Sequence, residues 1–200
     1  MDYLYQEFDP IVAQYAPVRV LEVGCGNCIN IVNLKKKYNG KIDLYGIDIS
    51  DERLRVSKQY FGNALDEVQL RNAPITEPLD WSDGFFDVVF SMHCLEQIPY
   101  QTQSALREIY RLTKRRMVMI EPIFELGNHV QRLYLLNSDH NRILLKSIKQ
   151  LGYQIWRLES LDIQSNPLNQ SSIVVIDKAH DIKSHQVASP TLSKAEPAET

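Results

Sequence analysis

The chain predicts an α/β fold, a mostly parallel, doubly wound sheet of seven strands with helices on both faces. Three observations predict it. Short apolar runs alternate with segments of helical periodicity along most of the 200 residues. The first run, residues 20–26, reads Val-Leu-Glu-Val-Gly-Cys-Gly and leads through two glycines toward a helix. Gly24 and Gly26 let the backbone turn sharply and approach a ligand with no Cβ in the way. The second run ends in Asp48, about twenty residues beyond that turn, where a carboxylate can meet ribose hydroxyls. A strand, a glycine turn and a helix in this order form the nucleotide-cofactor end of an open α/β sheet.

Each element has its own warrant. Residues 3–15 form an amphipathic N-terminal helix with an aromatic stripe of Tyr3, Tyr5 and Phe8. That stripe suits either a lid over the cofactor or core packing. Residues 19–23 are the first strand, buried on both faces apart from the charge of Glu22. A helix over 29–38 stops at Asn39-Gly40. Residues 42–47 make the second strand, and Ser50 or Asp51 caps a helix that runs to about residue 61. Residues 67–71, 85–91 and 116–120 are the third to fifth strands, with a helix over 102–113. Two helices over 124–136 and 139–151 follow, separated by Asn137-Ser138. Residues 153–161 and 171–177 close the sheet as a pair joined by a Pro-Leu-Asn turn. The domain therefore spans residues 1–177. Residues 178–200 are rich in Ser, Lys, Ala, Pro and Glu, and predict a disordered tail.

Composition narrows the function. A net charge of −3 and the lack of a dense basic stripe argue against nucleic acid as a partner. Lys35-Lys36-Lys37 and Lys114-Arg115-Arg116 are short and fall where helices should end, so they predict dipole complements rather than phosphate sites. No stretch has the length of a transmembrane span, and the acidic start is unlike a signal peptide. Cys25, Cys28 and Cys94 are a sparse, odd set, which predicts a cytoplasmic protein without a disulfide framework. Cys25 and Cys28 lack a second cysteine pair, so no metal site is predicted.

Ligands of such a sheet bind beyond the carboxyl ends of its strands. Those ends deliver Glu22, Gly24, Cys25 and Gly26 from the first strand and Asp48 from the second. The third supplies Asn72 and Ala73, the fourth Ser91, Met92 and His93, and the fifth Glu121. Asp48 suits the vicinal hydroxyls of a ribose, or alternatively caps the following helix through the 48–50 turn. A dinucleotide fingerprint needs a third glycine where this chain has Ile29, which counts against a nicotinamide-dependent oxidoreductase. Glu22, two residues before the first glycine, suits a cationic ligand better than a pyrophosphate.

These residues resemble the class I S-adenosylmethionine-dependent methyltransferases, of the type 11-like kind, over residues 18–177. The likeness rests on three segments in order: residues 20–26, Tyr45-Gly-Ile-Asp48, and Phe86-Asp-Val-Val-Phe-Ser-Met-His-Cys-Leu-Glu-Gln-Ile-Pro99. The resemblance implies a Rossmann-like sheet whose last strand is antiparallel. It also implies S-adenosylmethionine as cofactor and S-adenosylhomocysteine as product. Gly24 and Gly26 would approach the methionine end, Asp48 with Ile49 the ribose, Asn72 and Ala73 the adenine, and Ser91 and Met92 the floor of the site. Glu121-Pro-Ile-Phe-Glu-Leu126 and Asn166-Pro-Leu-Asn169 resemble members linked to saccharide or lipid modification. Cys28, Gln97 and Gln170-Ser171 depart from the common pattern.

Methyl transfer asks a protein mainly for alignment, with a general base where the acceptor is a hydroxyl. His93 is the first candidate for that base, against a role as a local cap. Glu121 is the second, against a role as a hydrogen-bonded acid before Pro122. His129, Tyr134 and His140 fall in helices that could cover the acceptor, where packing or surface roles are commoner. The expected function is methyl transfer to an oxygen of a small or medium saccharide, lipid or secondary metabolite. A non-catalytic subunit of the same fold is the alternative.

Overall fold

The computed structural model describes residues 1–137, 141–162, 168 and 170–178. His140, most of the Asn166–Asn169 turn and the tail from residue 179 lie outside the described residues. In chain order the elements are α1 (Asp2–Tyr15), β1 (Val18–Val23), α2 (Ile29–Tyr38), β2 (Ile42–Asp48), α3 (Asp51–Phe61), β3 (Gln69–Asn72) and β4 (Phe86–Met92). Then follow α4 (Thr102–Leu112), β5 (Thr113–Pro122), α5 (His129–Asn137), α6 (Leu144–Gln150), β6 (Arg157–Ser160) and β7 (Ser171–Asp177).

The strands form one sheet in the order β3-β2-β1-β4-β5-β7-β6. β1 pairs in parallel with both β2 and β4, and β4 with β5. β7 runs antiparallel between β5 and β6. Strand order reverses between β1 and β4, so a crevice opens beyond the carboxyl ends of β1, β2 and β4.

Alternate residues of the buried strands feed two cores. On one face, Leu4 and Phe8 of α1 and Ile31 and Leu34 of α2 pack with Val18, Val20 and Phe90. On the other, Leu106 and Ile109 of α4 and Ile148 of α6 pack with Leu21, Val89 and Met117. Phe8 meets Phe90 edge-on with ring centroids 5.6 Å apart, and Glu7 binds Arg116 at 2.9 Å and Arg157 at 2.7 Å. The aromatic stripe of α1 is therefore core packing, not a lid.

Several boundaries differ from the expected ones, those of α6 and β6 among them, and three have their reason in the local backbone. The third strand begins at Gln69 because Glu67 takes a left-handed φ of 67°. The helix expected over 124–136 is a single 3₁₀ turn, Phe124–Leu126, followed by α5. Asn128 and Gln131 bond each other's backbone N–H groups, a reciprocal cap that starts α5 afresh. Lys114, Arg115 and Arg116 lie in β5 and not at a helix end, since α4 stops at Leu112.

Candidate active site

The chain leaves β1 through a turn in which Gly24, Gly26 and Cys28 all have positive φ, at 69°, 47° and 57°. Cys28 is the N-terminal cap of α2 without a side-chain bond to it. Both buried thiols, Cys25 and Cys28, face protein on this turn. Gly24 is irreplaceable on spatial grounds, because a Cβ there would stand 2.4 Å from Cys94 Sγ and 2.6 Å from Cys94 Cβ. At Gly26 a Cβ would lie 2.5 Å from an Arg53 guanidinium nitrogen. The turn is thus flanked by Cys94 after β4 and Arg53 on α3.

Asp48 ends β2 and is 5% exposed. Its Oδ2 accepts the Gly26 N–H at 2.8 Å and its Oδ1 the Ser50 N–H at 2.9 Å. Ser50 Oγ in turn accepts the Arg53 N–H at 3.3 Å and caps α3. The 48–50 turn is therefore real, and the helix cap belongs to Ser50. Each Asp48 oxygen keeps acceptor capacity for a further donor. Asn72 and Ala73 tie β3 to this point, both donating to the Asp48 carbonyl, at 3.0 and 3.2 Å.

A cavity of about 190 Å³ opens beside the turn. Of the residues expected at the site, Gly24, Asp48, Ile49, Ala73 and His93 line it. Ile49 is 77% exposed, an apolar side chain held open at the rim. Arg53, Cys94, Gln97 and Gln101 also line it. Their contribution depends on how α3 and the loop after β4 fold back, and no sequence motif announces Arg53 or Gln101.

Glu22 lies behind the turn, 2% exposed. Its Oε1 accepts Asn30 Nδ2 at 2.7 Å, and its Oε2 is buried with no hydrogen-bond partner among the described residues. Burial raises this carboxyl to about 8. Asn30 also approaches Met92 Sδ at 3.7 Å, so one amide on α2 joins the first and fourth strands' contributions. Neither Glu22 nor Met92 reaches the cavity wall directly.

Glu121 and Ser91 have a different place from the one expected of a base and a floor. Ser91 donates to Glu121 Oε1 at 2.8 Å, and the same oxygen accepts the N–H groups of Cys94 and Leu95. Oε2 accepts the Glu96 N–H at 3.2 Å. β4 and β5 pair Met92 with Ile120, so Glu121 sits level with the first loop residue and gathers the loop's amides. Burial raises its carboxyl to about 7 against the pull of these bonds. Glu121 anchors the loop, lies 1% exposed, and is not among the residues that line the cavity.

His93 follows β4 with φ 52° and lines the cavity. Its Nδ1 stands 3.4 Å from Glu96 Oε1 and its Nε2 2.8 Å from Ser171 Oγ. The Glu96 carboxylate raises its pKa above the ordinary imidazole value. Ser171 opens β7, so the antiparallel strand joins this wall. His129 is exposed at the start of α5, and neither it nor Tyr134 lines the cavity.

This sheet order, with the ligand crevice at the β1–β4 reversal, is the class I S-adenosylmethionine-dependent methyltransferase fold. Residues 20–116 match the model of a methyltransferase domain. It is 32% identical over 98 residues to ajmaline N-methyltransferase of Rauvolfia serpentina, covering 48% of this chain and 32% of that protein. It is 27% identical over 106 residues to ubiquinone biosynthesis O-methyltransferase of Nitrosomonas europaea, covering 53% and 43%. The chain thus spans less than half of the length of these curated relatives. Geranyl diphosphate C-methyltransferase of Streptomyces coelicolor A3(2), solved with Mg2+, geranyl diphosphate and S-adenosyl-L-homocysteine, shares the fold at a TM-score of 0.67. That superposition covers 88% of this chain and 79% of the other at 12% identity.

The residues present fit S-adenosylmethionine. The Glu22 oxygen without a partner among the described residues leaves an unspent polar group behind the turn, the two glycines leave the backbone bare, and Asp48 retains acceptors at the cavity.

Proposed function

We propose that this protein transfers the methyl group of S-adenosylmethionine to an oxygen of a small or medium acceptor, a saccharide, lipid or secondary metabolite, in the cytoplasm. The observation that carries the reading is the bond from the Gly26 N–H to the Asp48 carboxylate at the mouth of the crevice. It holds the glycine turn against the carboxylate that this reading gives to the ribose, and Gly24 and Asp48 both line the cavity. The N- and O-methyltransferase names of the curated relatives support a small-molecule acceptor. Among the described residues no helix is long and apolar enough to cross a membrane.

In this reading Gly24 and Gly26 carry the methionine end, Asp48 and Ile49 the ribose, and Asn72 and Ala73 the adenine side. S-adenosylmethionine supplies an activated methyl group on a sulfonium and leaves as S-adenosylhomocysteine. The chain's own contribution is alignment, worth about 7–11 kcal/mol of the barrier in well-oriented systems. His93 takes the acceptor's proton at Nε2 once Ser171 yields that nitrogen, while Glu96 faces Nδ1 and steadies the charged ring. Cys25, Ser91, Met92 and Glu121 shape the turn and the loop without touching the acceptor.

Calorimetry with S-adenosylmethionine, S-adenosylhomocysteine and NADH tests the reading. Both adenosyl ligands should bind and NADH should not. Binding of NADH alone returns the chain to hydride chemistry, and binding of none favours a non-catalytic subunit. In the same titration Asp48→Ala should weaken S-adenosylhomocysteine by about tenfold, the loss of a charge-assisted contact. An unchanged affinity removes Asp48 from the ribose.

A further inference from the structure

A second recess lies at the opposite, amino-terminal edge of the sheet, where α1 ends and β1, β4 and β5 begin. Its volume is about 210 Å³, and it shares no lining residue with the cofactor cavity. Among the described residues its walls include Arg19, Lys114 and Arg115, with Asp87 as the one carboxylate and Tyr15 and Phe85 as flat sides. Three cations against one carboxylate leave two positive charges in a polar hollow on a chain whose overall charge is negative.

The cations are held in place, with donors to spare. Arg115 lies over the Tyr15 ring, 3.4 Å from its centroid, and gives its Nε–H to Asp87 at 2.9 Å. Arg19 lies over Phe85 at 4.5 Å and gives one Nη1 donor to the Phe85 carbonyl at 3.3 Å. A guanidinium has five N–H donors in a planar fork, so each keeps four. Stacking fixes the plane of each fork, which lowers the entropy lost when a planar or tetrahedral oxyanion is gripped. Lys114 stands 3.9 Å from Asp87, outside hydrogen-bond range, and adds an ammonium. Asp87 is committed on both oxygens, since its Oδ2 accepts the Arg19 N–H at 3.0 Å. Arg116, the third of the basic run, is absent from the recess because Glu7 and Asp177 take it on the other face of β5.

From this arrangement we infer that Arg19, Lys114 and Arg115 form an anion site for a phosphate group borne by a small molecule or a lipid headgroup. A phosphate monoester carries about −1.5 to −2 charges at neutral pH, which matches the two uncompensated positive charges. A recess of this size takes a phosphate and its neighbouring atoms, not a nucleic-acid backbone. β1 separates it from the glycine turn by its whole length, about 20 Å at 3.3 Å per residue, so it serves a molecule other than the one in the cofactor cavity.

The full chain titrated with inorganic pyrophosphate by calorimetry, with and without saturating S-adenosylhomocysteine, tests the site. One site should appear, insensitive to S-adenosylhomocysteine and weakening as salt rises. Arg19→Gln and Arg115→Gln should each weaken it about tenfold or more. Lys114→Gln breaks no hydrogen bond and should weaken it several-fold, so the test survives if the arginine variants misfold. No heat up to about 10 mM ligand, an unchanged affinity in Lys114→Gln, or loss of binding with S-adenosylhomocysteine overturns the inference. Sedimentation with vesicles names the source. Retention by phosphatidic acid but not phosphatidylcholine assigns a headgroup, and binding of ribose 5-phosphate without retention assigns a soluble metabolite.

Discussion

Glu22 concentrates the tension of this site in one side chain. It sits on a strand paired on both sides, with one oxygen bonded to Asn30 and the other bonded to nothing among the described residues. Burial lifts its carboxyl from 4.5 to about 8, so between those values the folded chain holds a proton that the unfolded chain releases. The contribution of this group to stability is therefore full below pH 4.5 and is lost as pH rises through about 8. Glu22→Gln removes the titration while keeping the amide-to-oxygen bond from Asn30. Calorimetric melts should show the variant more stable than wild type at pH 8.5, by several degrees, with the difference shrinking toward pH 5. A difference that does not change with pH would mean that Glu22 is ionised throughout. At this scale the sequence is most informative where function rests on the backbone. Gly24, Gly26 and Asp48 are legible because a turn without Cβ atoms and a strand-end carboxylate have few other uses. Asn30, Arg53 and Gln101 are not, since each reaches the site through the packing of a helix or loop that its own neighbours do not specify. Glu121 was legible as a strand-end acid, but its partners come from the register of β4 on β5.

At the scale of elements, the loop after β4 hangs on that carboxylate. Residues 93–97 must turn away from the sheet, which strands the amides of Cys94, Leu95 and Glu96, and Glu121 accepts all three together with the Ser91 hydroxyl. Glu121→Ala leaves four donors without an acceptor, three of them buried, at about 1–3 kcal/mol for each buried one before the loop relaxes. Urea unfolding should register a loss of at least about 3 kcal/mol, and S-adenosylhomocysteine should bind more weakly because Cys94 no longer backs Gly24. A loss below about 1 kcal/mol would show that water or another donor set holds the loop. Strands and long helices were legible from their periodicity, since burial on two faces or one leaves a direct trace in residue type. The break before α5 leaves no such trace, because Asn128-His-Val-Gln131 is a cap only if the two side chains bond back, and its apolar neighbours continue a helical pattern on either side. β6 starts at Arg157 and not at the expected residue 153, because Tyr153 and Ile155 are apolar for contact with α4 and α6, not for pairing.

For the whole molecule, the sheet order places its last strand in an interior position. β7 lies between β5 and β6, every one of its seven residues is buried, and it supplies Ser171 to His93 and Asp177 to Arg116. Removing it strips β5 of a partner along seven register pairs and leaves β6 with none among the described strands. Lys178 is the next residue and is still engaged, donating to the Tyr110 and Thr113 carbonyls at 2.9 and 2.7 Å. We propose that the domain ends there, as the polar composition beyond it suggests. A chain stopped after Lys178 should melt within about 2 °C of the full chain and bind S-adenosylhomocysteine equally well. A chain stopped after Gln170 should lose the cooperative transition in circular dichroism, because the buried surface of a central strand cannot be replaced by solvent. A large drop in melting temperature for the first truncation would place part of the fold in residues 179–200. Retention of a cooperative melt by the second would show that the five parallel strands stand without their antiparallel partner, and that β7 serves the site more than the sheet.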